Sequence, residues 1–160
     1  MTVEGSGAAR WYGRVVPNSV PRLSYVVARL ERALRREIDA RVRRHGLTTT
    51  QYTALSVLAT RGNGLSNAQL ARRSYITPQS MSQLVGVLEE SGLIERNPDP
   101  GHRRILRARV TPKGRRVLDV CDAEVDDLER TMLGRLPQEE REHLRSLLID
   151  CVRGVDAGFG

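Results

Sequence analysis

Two groups of side chains near the middle of the sequence could bind a nucleic acid. The first is a set of serines and glutamines at the start of a predicted helix, where glutamine can hydrogen-bond adenine and serine tolerates several bases. The second is the segment 95–109, which holds five arginines against two acidic residues. Arginine binds phosphate through paired N–H groups and can enter a narrow minor groove. The predicted base-contacting residues are Gln79, Ser80, Ser82 and Gln83.

The base-contacting set lies on the outer face of its helix. Apolar residues recur on the opposite face at i, i+3, i+4 and i+7, so that face must be buried. Thr77 is the predicted N-cap, and Pro78 fits the first helical position, where no backbone N–H is needed. Taken alone, the outer face is equally typical of any solvated helix. The inward-facing residues are Met81, Leu84, Val85 and Leu88.

A shorter helix comes directly before this one. Ser66 and Gln69 have the spacing of a capping box, and Leu65 and Leu70 have that of a hydrophobic staple. The same start signal occurs once more upstream, at residues 47–52. Three short helices with defined starts therefore form a compact unit, and the last two make a helix-turn-helix.

A basic β-hairpin follows the two helices. Segments 93–96 and 105–110 flank a turn that is stiffened by proline and glycine. The hairpin favours the base-reading interpretation, because a helix-turn-helix and a basic hairpin together form a winged helix-turn-helix that binds duplex DNA. Ser66, Thr77 and five hairpin residues complete the predicted DNA-contacting set. The hairpin residues are Arg96, Asp99, His102, Arg103 and Arg104.

Three longer helices flank this unit and have little to bury alone. They begin at Pro21, after Thr111 and at Pro137, and each has one narrow apolar stripe. Such helices favour an interlocked homodimer. The predicted fold is therefore mainly α with a small β-hairpin wing, a winged helix-turn-helix flanked by N- and C-terminal dimerisation helices. The predicted interface residues are Leu23, Val27, Leu128, Leu144, Leu148 and Cys151.

One domain accounts for the chain of 160 residues. Of the 26 lysines and arginines, 21 fall within residues 1–116, together with only 8 of the 19 acidic residues. A basic body with an acidic C-terminal end favours a polyanionic partner for the body. The predicted regions are a flexible N-terminal arm (1–20), a dimerisation helix (21–45), the winged helix-turn-helix DNA-binding region (46–111) and the C-terminal dimerisation helices (112–160).

The sequence lacks the signals of membrane proteins and of enzymes. It has no secretory signal peptide and no apolar run long enough to span a bilayer, which predicts a cytoplasmic protein without a membrane partner. The three histidines stand alone, with no nucleophile, metal or phosphate motif beside them, so no catalytic residue, metal or cofactor is predicted. Cys121 and Cys151 are interpreted as buried thiols in a reducing cytosol, with oxidant sensing as the alternative.

Three stretches resemble the MarR family of bacterial transcription regulators: LTTTQYTAL at 47–55, GLIERNPDPGHRR at 92–104 and LRARVTPKG at 106–114. The resemblance implies a homodimeric winged-helix repressor or activator that a small phenolic or anionic effector releases from DNA. It also implies that Arg103 is the wing-tip arginine and that Asp99 is the acid that steadies it. His102 stands where the family has a second acid.

The resemblance also implies an effector pocket between the dimer helices and the helix-turn-helix. Tyr25, His45 and Tyr52 are the candidate lining residues, and plain core or surface positions are the alternative. Trp11, in the N-terminal arm, is a further candidate. An aromatic residue in such a segment packs against a neighbouring element or subunit, or it closes over a ligand.

Two functions are consistent with these patterns. The first is a dimeric, sequence-specific regulator on pseudo-palindromic duplex DNA, a ligand-responsive repressor of its own or neighbouring genes. The second is a non-specific architectural DNA- or RNA-binding winged-helix protein, because the same basic surface would serve it. Competition by random duplex would distinguish the two.

Overall fold

The computed structural model describes residues 10–11, 14–15 and 21–155. The chain divides into two compact units, residues 1–35 and 36–160. In the first unit, the strands Arg10–Trp11 (β1) and Arg14–Val15 (β2) pair in antiparallel fashion. The rest of the predicted arm, 1–20, lies outside the described residues.

Helices make up most of the described chain, and their order follows the prediction. The predicted fold class, mainly α with a small β wing, is confirmed. The remaining α-helices and strands, in chain order, are α1 (Leu23–Val42), α2 (Thr49–Ala59), β3 (Leu65–Ser66), α3 (Asn67–Arg73), α4 (Pro78–Glu90), β4 (Ile94–Pro98), β5 (Leu106–Val110), α5 (Pro112–Met132) and α6 (Gln138–Gly154), and a short 3-10 helix, Arg43–His45, follows α1.

Four helices begin where local sequence signals place their starts. Thr48 and Ser66 each form a complete capping box, at the starts of α2 and α3. Thr77 caps α4, with Pro78 at the first helical position, and Thr111 caps α5 in the same way. Each cap satisfies a backbone N–H that the helix itself cannot bond. The predicted starts of these helices are confirmed.

The predicted hairpin forms together with a third strand that the sequence did not predict. Strands β4 and β5 pair from Ile94 opposite Val110 to Pro98 opposite Leu106. Strand β3 pairs with the other edge of β5, which gives the strand order β3-β5-β4. A strand of two residues is too short to show an alternating pattern, so its sequence carries no strand signal.

The core lies among the short helices, the sheet and α5. The inward face predicted for α4 is confirmed, because Met81, Val85 and Leu88 are buried and Leu84 is partly buried. Cys121 is buried as predicted, and burial raises the pKa of its thiol to about 11, so the thiol stays protonated at neutral pH. The largest fully buried side chains include Leu55, Leu58, Leu70 and Leu118.

Helix α6 buries none of its residues within the single chain. Leu147 and Leu148 are 48% and 39% exposed, and on α1 Leu23 and Val27 are exposed as well. Cys151 is also exposed, so the prediction of a buried thiol there is wrong for the single chain. No residue of α6 belongs to the core cluster, and the apolar stripe that includes Leu147 and Leu148 is therefore open to solvent.

Two other predicted interface residues are less exposed. Leu128 is 9% exposed and lies mostly inside its own chain, contrary to the prediction. It lies seven residues after the buried Cys121 on α5, and residues at that spacing share one helix face. Leu144 is half-buried.

Candidate nucleic-acid interface

Helix α4 presents the predicted base-contacting residues on its open face. This face lies opposite the side that carries the buried Met81. All four side chains are exposed, and the glutamine amides among them have no hydrogen-bond partner in the part of the chain that the structure describes. Those amides are free to bond a base. The four residues are Gln79, Ser80, Ser82 and Gln83.

The hydroxyl groups on this face are already engaged within the protein. Thr77 Oγ1 donates to Ser80 Oγ at 2.9 Å and also accepts the backbone N–H of Ser80 at 3.2 Å. Ser82 Oγ donates to the carbonyl of Pro78 at 3.0 Å. Ser66, another predicted DNA contact, caps α3 and accepts the backbone N–H of residue 69 at 3.3 Å. These hydroxyls therefore help to hold the starts of the two helices, whereas the two glutamine amides bond nothing among the described residues.

Asp99 organises the turn of the wing. Its Oδ1 accepts the backbone N–H groups of Gly101 at 2.8 Å and His102 at 3.0 Å, and its Oδ2 accepts from the side chain of Arg107. The resemblance implied that this acid steadies Arg103. The structure pairs it with Arg107 instead, because the register of β4 and β5 brings Arg107 beside the turn. Asp99 as a whole is 7% exposed and belongs to the interior of the wing.

Arg107, which no sequence pattern singled out, links parts of the chain that are distant in sequence. Its Nη1 donates to the carbonyl of Gly64 at 3.3 Å, so one guanidinium joins the wing to the turn before β3. A Cβ on Gly64 would lie 2.7 Å from the carbonyl oxygen of Ala108, and the backbone there has a φ of +71°. Glycine at position 64 therefore permits the turn before β3 to lie close against the backbone of β5. The contacts of Arg107 could have been predicted only from the register of all three strands. Strand β3 is too short to show a strand pattern in the sequence, so that register could not be derived.

The wing tip holds two unpaired cations. Arg103 and Arg104 are exposed, as is His102, and among the described residues neither arginine has a hydrogen-bond or ion-pair partner. Arg96 is different, because its Nε lies 2.8 Å from Glu89 Oε2 on α4 and that hydrogen bond lowers the pKa of Glu89. The structure thus leaves the tip arginines exposed to solvent and ties Arg96 to α4.

Replacing Asp99 with asparagine should destabilise the protein at neutral pH and have little effect in acid. The hydrogen bond from Arg107 is the largest cause that lowers the pKa of Asp99 below its ordinary value of 3.8, followed by the backbone bond from Gly101. A carboxyl whose pKa is lowered by folding contributes stability above its unfolded-state pKa and loses it as the pH falls through the folded-state pKa. In thermal unfolding, the difference between the two proteins should stay constant from neutral pH down to about pH 4 and shrink below it. A difference that persists undiminished in strong acid would contradict this assignment.

Two candidate effector residues are held by carboxylates of α5. The hydroxyl of Tyr52 donates to Asp122 Oδ1 at 2.7 Å, and His45 Nε2 lies 2.7 Å from Glu124 Oε1. Burial, and then the hydrogen bond to Asp122, raise the pKa of Tyr52, so its phenol stays neutral. The structure therefore brings His45 and Tyr52 to the same helix.

The other two effector candidates lie in the first compact unit. Tyr25 is exposed there, with the guanidinium carbon of Arg29 5.8 Å from its ring centre, and Trp11 belongs to β1. A polar groove of about 280 Å³ lies where α5 ends and α6 begins, at a place where the sequence predicted no ligand. Its lining includes the arginines Arg130, Arg141 and Arg145.

The described ranges contain no cluster of three or more His, Cys, Asp or Glu side chains that could hold a metal ion. His143 is exposed, and His45 is bonded to Glu124. Within the same ranges, no helix combines the length and the apolar character that crossing a membrane requires. The open face of α4 and the wing tip remain as the candidate site.

Comparison with known proteins identifies the family of the chain. A sequence model of the MarR family matches residues 45–105, which include the helix-turn-helix and most of the wing. The HTH-type transcriptional repressor Rv2887 of Mycobacterium tuberculosis is 31% identical over 126 residues, which cover 79% of this chain and 90% of that protein.

Two solved structures share the fold. CouR from Rhodococcus jostii RHA1, bound to p-coumaroyl-CoA, gives a TM-score of 0.73 at 24% identity and covers 79% of this chain and 89% of its own. MepR of S. aureus in complex with DNA gives a TM-score of 0.74 at 22% identity and covers 84% of this chain and 99% of its own. The resemblance seen in the sequence is confirmed by the family match and by the extended similarity to a repressor, and this chain belongs to the MarR family of transcriptional regulators.

Proposed function

We propose that this protein is a homodimeric regulator that binds a pseudo-palindromic duplex DNA sequence and represses its own or neighbouring genes. The observation that carries the proposal is the open start of α4, where the amides of Gln79 and Gln83 have no hydrogen-bond partner among the described residues while the neighbouring hydroxyls are engaged. Glutamine can bond adenine through two parallel hydrogen bonds in the major groove. MepR, which has the same fold, was solved as a DNA complex.

The wing provides a second contact. Arg103 and Arg104 are exposed and unpaired among the described residues, so DNA binding need not break an existing ion pair. Unpaired arginines at a hairpin tip suit a phosphate or a narrow minor groove. In this proposal the glutamines supply specificity, and the wing supplies much of the salt-dependent affinity.

Two copies of the chain would read the two half-sites. The exposed apolar stripe on α6, together with exposed residues of α1, supports a partner surface between copies. A dimer that holds two recognition helices about 34 Å apart fits half-sites one helical turn apart. The proposed interface residues are Leu23, Val27, Leu144, Leu148 and Cys151.

A small effector is the proposed control. CouR is bound to p-coumaroyl-CoA, which supports a small phenolic or anionic molecule as the effector class. His45 and Tyr52 are the proposed contacts, since both bond the same helix and are only partly buried. Such a regulator would act in the cytoplasm, where the bacterial chromosome lies.

Competition with random duplex tests the proposed function. A labelled fragment from upstream of the protein's own gene should be released by random duplex only at concentrations about a thousandfold above those of the unlabelled fragment. The logarithm of the affinity should fall steeply with the logarithm of the salt concentration. Equal competition by random duplex or RNA would instead establish a non-specific architectural or RNA-binding protein.

Replacing Arg103 with alanine should weaken operator binding by about 1–3 kcal/mol. Arg96→Ala is the matched control, because it removes the same charge from the same wing but from a side chain that Glu89 already holds. Titrations by fluorescence anisotropy should show the larger loss for Arg103→Ala, with the dimer intact in both. If the two variants lose the same amount of operator affinity, the wing acts through its net charge and not through an inserted tip.

A further inference from the structure

Asn67, the first residue of α3, is hydrogen-bonded to α4. Its Nδ2 lies 3.1 Å from the carbonyl oxygen of Pro78 and 3.0 Å from Ser82 Oγ. Ser82 Oγ in turn donates to the same Pro78 carbonyl at 3.0 Å. The three groups close a small hydrogen-bonded ring, which we call the α3–α4 bracket.

The bracket fixes the direction of each hydrogen bond. The Pro78 carbonyl can only accept, so the end of the Asn67 amide that faces it must be the NH₂ group. Ser82 gives its single hydrogen to that carbonyl and must therefore accept from Asn67. The amide thus donates twice across the two helices, while its Oδ1 is buried without a hydrogen-bond partner among the described residues. Neither an alanine nor an aspartate could supply these two donors.

The bracket acts on the part of α4 that carries the free amides. Pro78 and Ser82 lie in its first turns, on either side of Gln79 and next to Gln83. A hydrogen bond to a base edge weakens steeply when its angle changes, whereas an arginine can follow a phosphate by turning its long side chain. A small rotation of α4 against α3 would therefore cost base reading more than phosphate binding.

We propose that Asn67 is a positioning residue for base reading, which holds the start of α4 against α3 so that Gln79 and Gln83 meet the base edges in one orientation. Ser82 then belongs to the bracket and does not itself read a base. The inference rests on the proposed function, since it concerns how this surface distinguishes one DNA sequence from another.

The test is the ratio of affinities for the operator and for random duplex in Asn67→Ala, Asn67→Asp, Ser82→Ala and the double alanine variant. Asn67→Ala should lower that ratio about tenfold and leave the salt slope unchanged, because no phosphate contact is lost. Asn67→Asp keeps the shape but turns an acceptor towards the Pro78 carbonyl, so it should lower the ratio at least as much. Its added charge weakens binding to both duplexes, which is why the ratio is the measurement. The double variant should lose no more than Asn67→Ala alone, because both changes remove the same bond.

Thr48→Ala is the control for a loss of stability alone. It removes the cap of α2, far along the chain from the bracket, and should lower the melting temperature without changing the affinity ratio. A wild-type ratio in Asn67→Ala, or additive losses in the double variant, would overturn the inference and leave the proposed function standing. Equal binding of operator and random duplex by the wild-type protein would overturn the proposed function itself and the inference with it.

Discussion

Replacing Gly114 with alanine should destabilise the protein by about 3 kcal/mol. A Cβ at this position would overlap the carbonyl oxygen of Leu93 and lie 2.9 Å from its carbonyl carbon and 3.0 Å from Val110 Cγ1. The nearest atoms belong to the backbone of Leu93. Moving them would break a hydrogen bond, because the same Leu93 carbonyl accepts the N–H of Thr111 at 3.0 Å. Insertion of the methyl group must therefore separate the start of α5 from the strand that begins the wing.

Gly86→Ala is the matched control for this prediction. Gly86 lies within α4, and a Cβ there would have no neighbour within 4 Å. Alanine should stabilise that helix by up to about 1 kcal/mol. Urea unfolding of both variants should thus show changes of opposite sign. A Gly114→Ala protein with wild-type stability would mean that the junction between wing and α5 is looser than its geometry indicates.

Polar substitution of Leu144 and Leu148 together should abolish the dimer and lower operator affinity by about a hundredfold or more. No residue of helix α6 is fully buried within its own chain, and Leu148 is 39% exposed, so the proposed role of these side chains is to pack against a second copy. In a dimer, binding of one half-site by the first copy holds the second copy close to the other half-site. When the dimer is lost, each copy must bind its half-site from solution, so the overall affinity falls. Light scattering and DNA titration together measure the two effects.

Leu106→Asn is the control for the loss of exposed apolar surface. Leu106 is 45% exposed, comparable with Leu148, but it lies on β5 in the wing. This variant should remain dimeric by light scattering. Dimers that persist in the α6 variant as well would place the interface on another surface.

The features that could be predicted from the sequence are those whose signal and structure are both local. The caps at Thr48, Ser66, Thr77 and Thr111 each join groups three residues apart, so the spacing along the chain already contains the geometry. The buried face of α4 could be predicted for the same reason, since helical periodicity alone defines it.

The site details that were missed depend on pairs distant in the chain. Asp99 bonds Arg107 across the turn, and Arg107 bonds Gly64 43 residues away, through a strand that has no pattern of its own. Arg96 looked available for DNA, but it lies beside Glu89 because the wing folds back on α4. Periodicity defines a helix face without stating which neighbour covers it, so the exposure of Cys151 and the burial of Leu128 could not be predicted either.

The bonds from Tyr52 to Asp122 and from His45 to Glu124 have a consequence for dose and response. If the proposed effector binds at these side chains in place of Asp122 and Glu124, part of its binding free energy is spent in breaking the two bonds. The dissociation constant is then higher than the ligand's own contacts alone would give, so weaker internal bonds at these two positions would make the regulator respond to less of the compound.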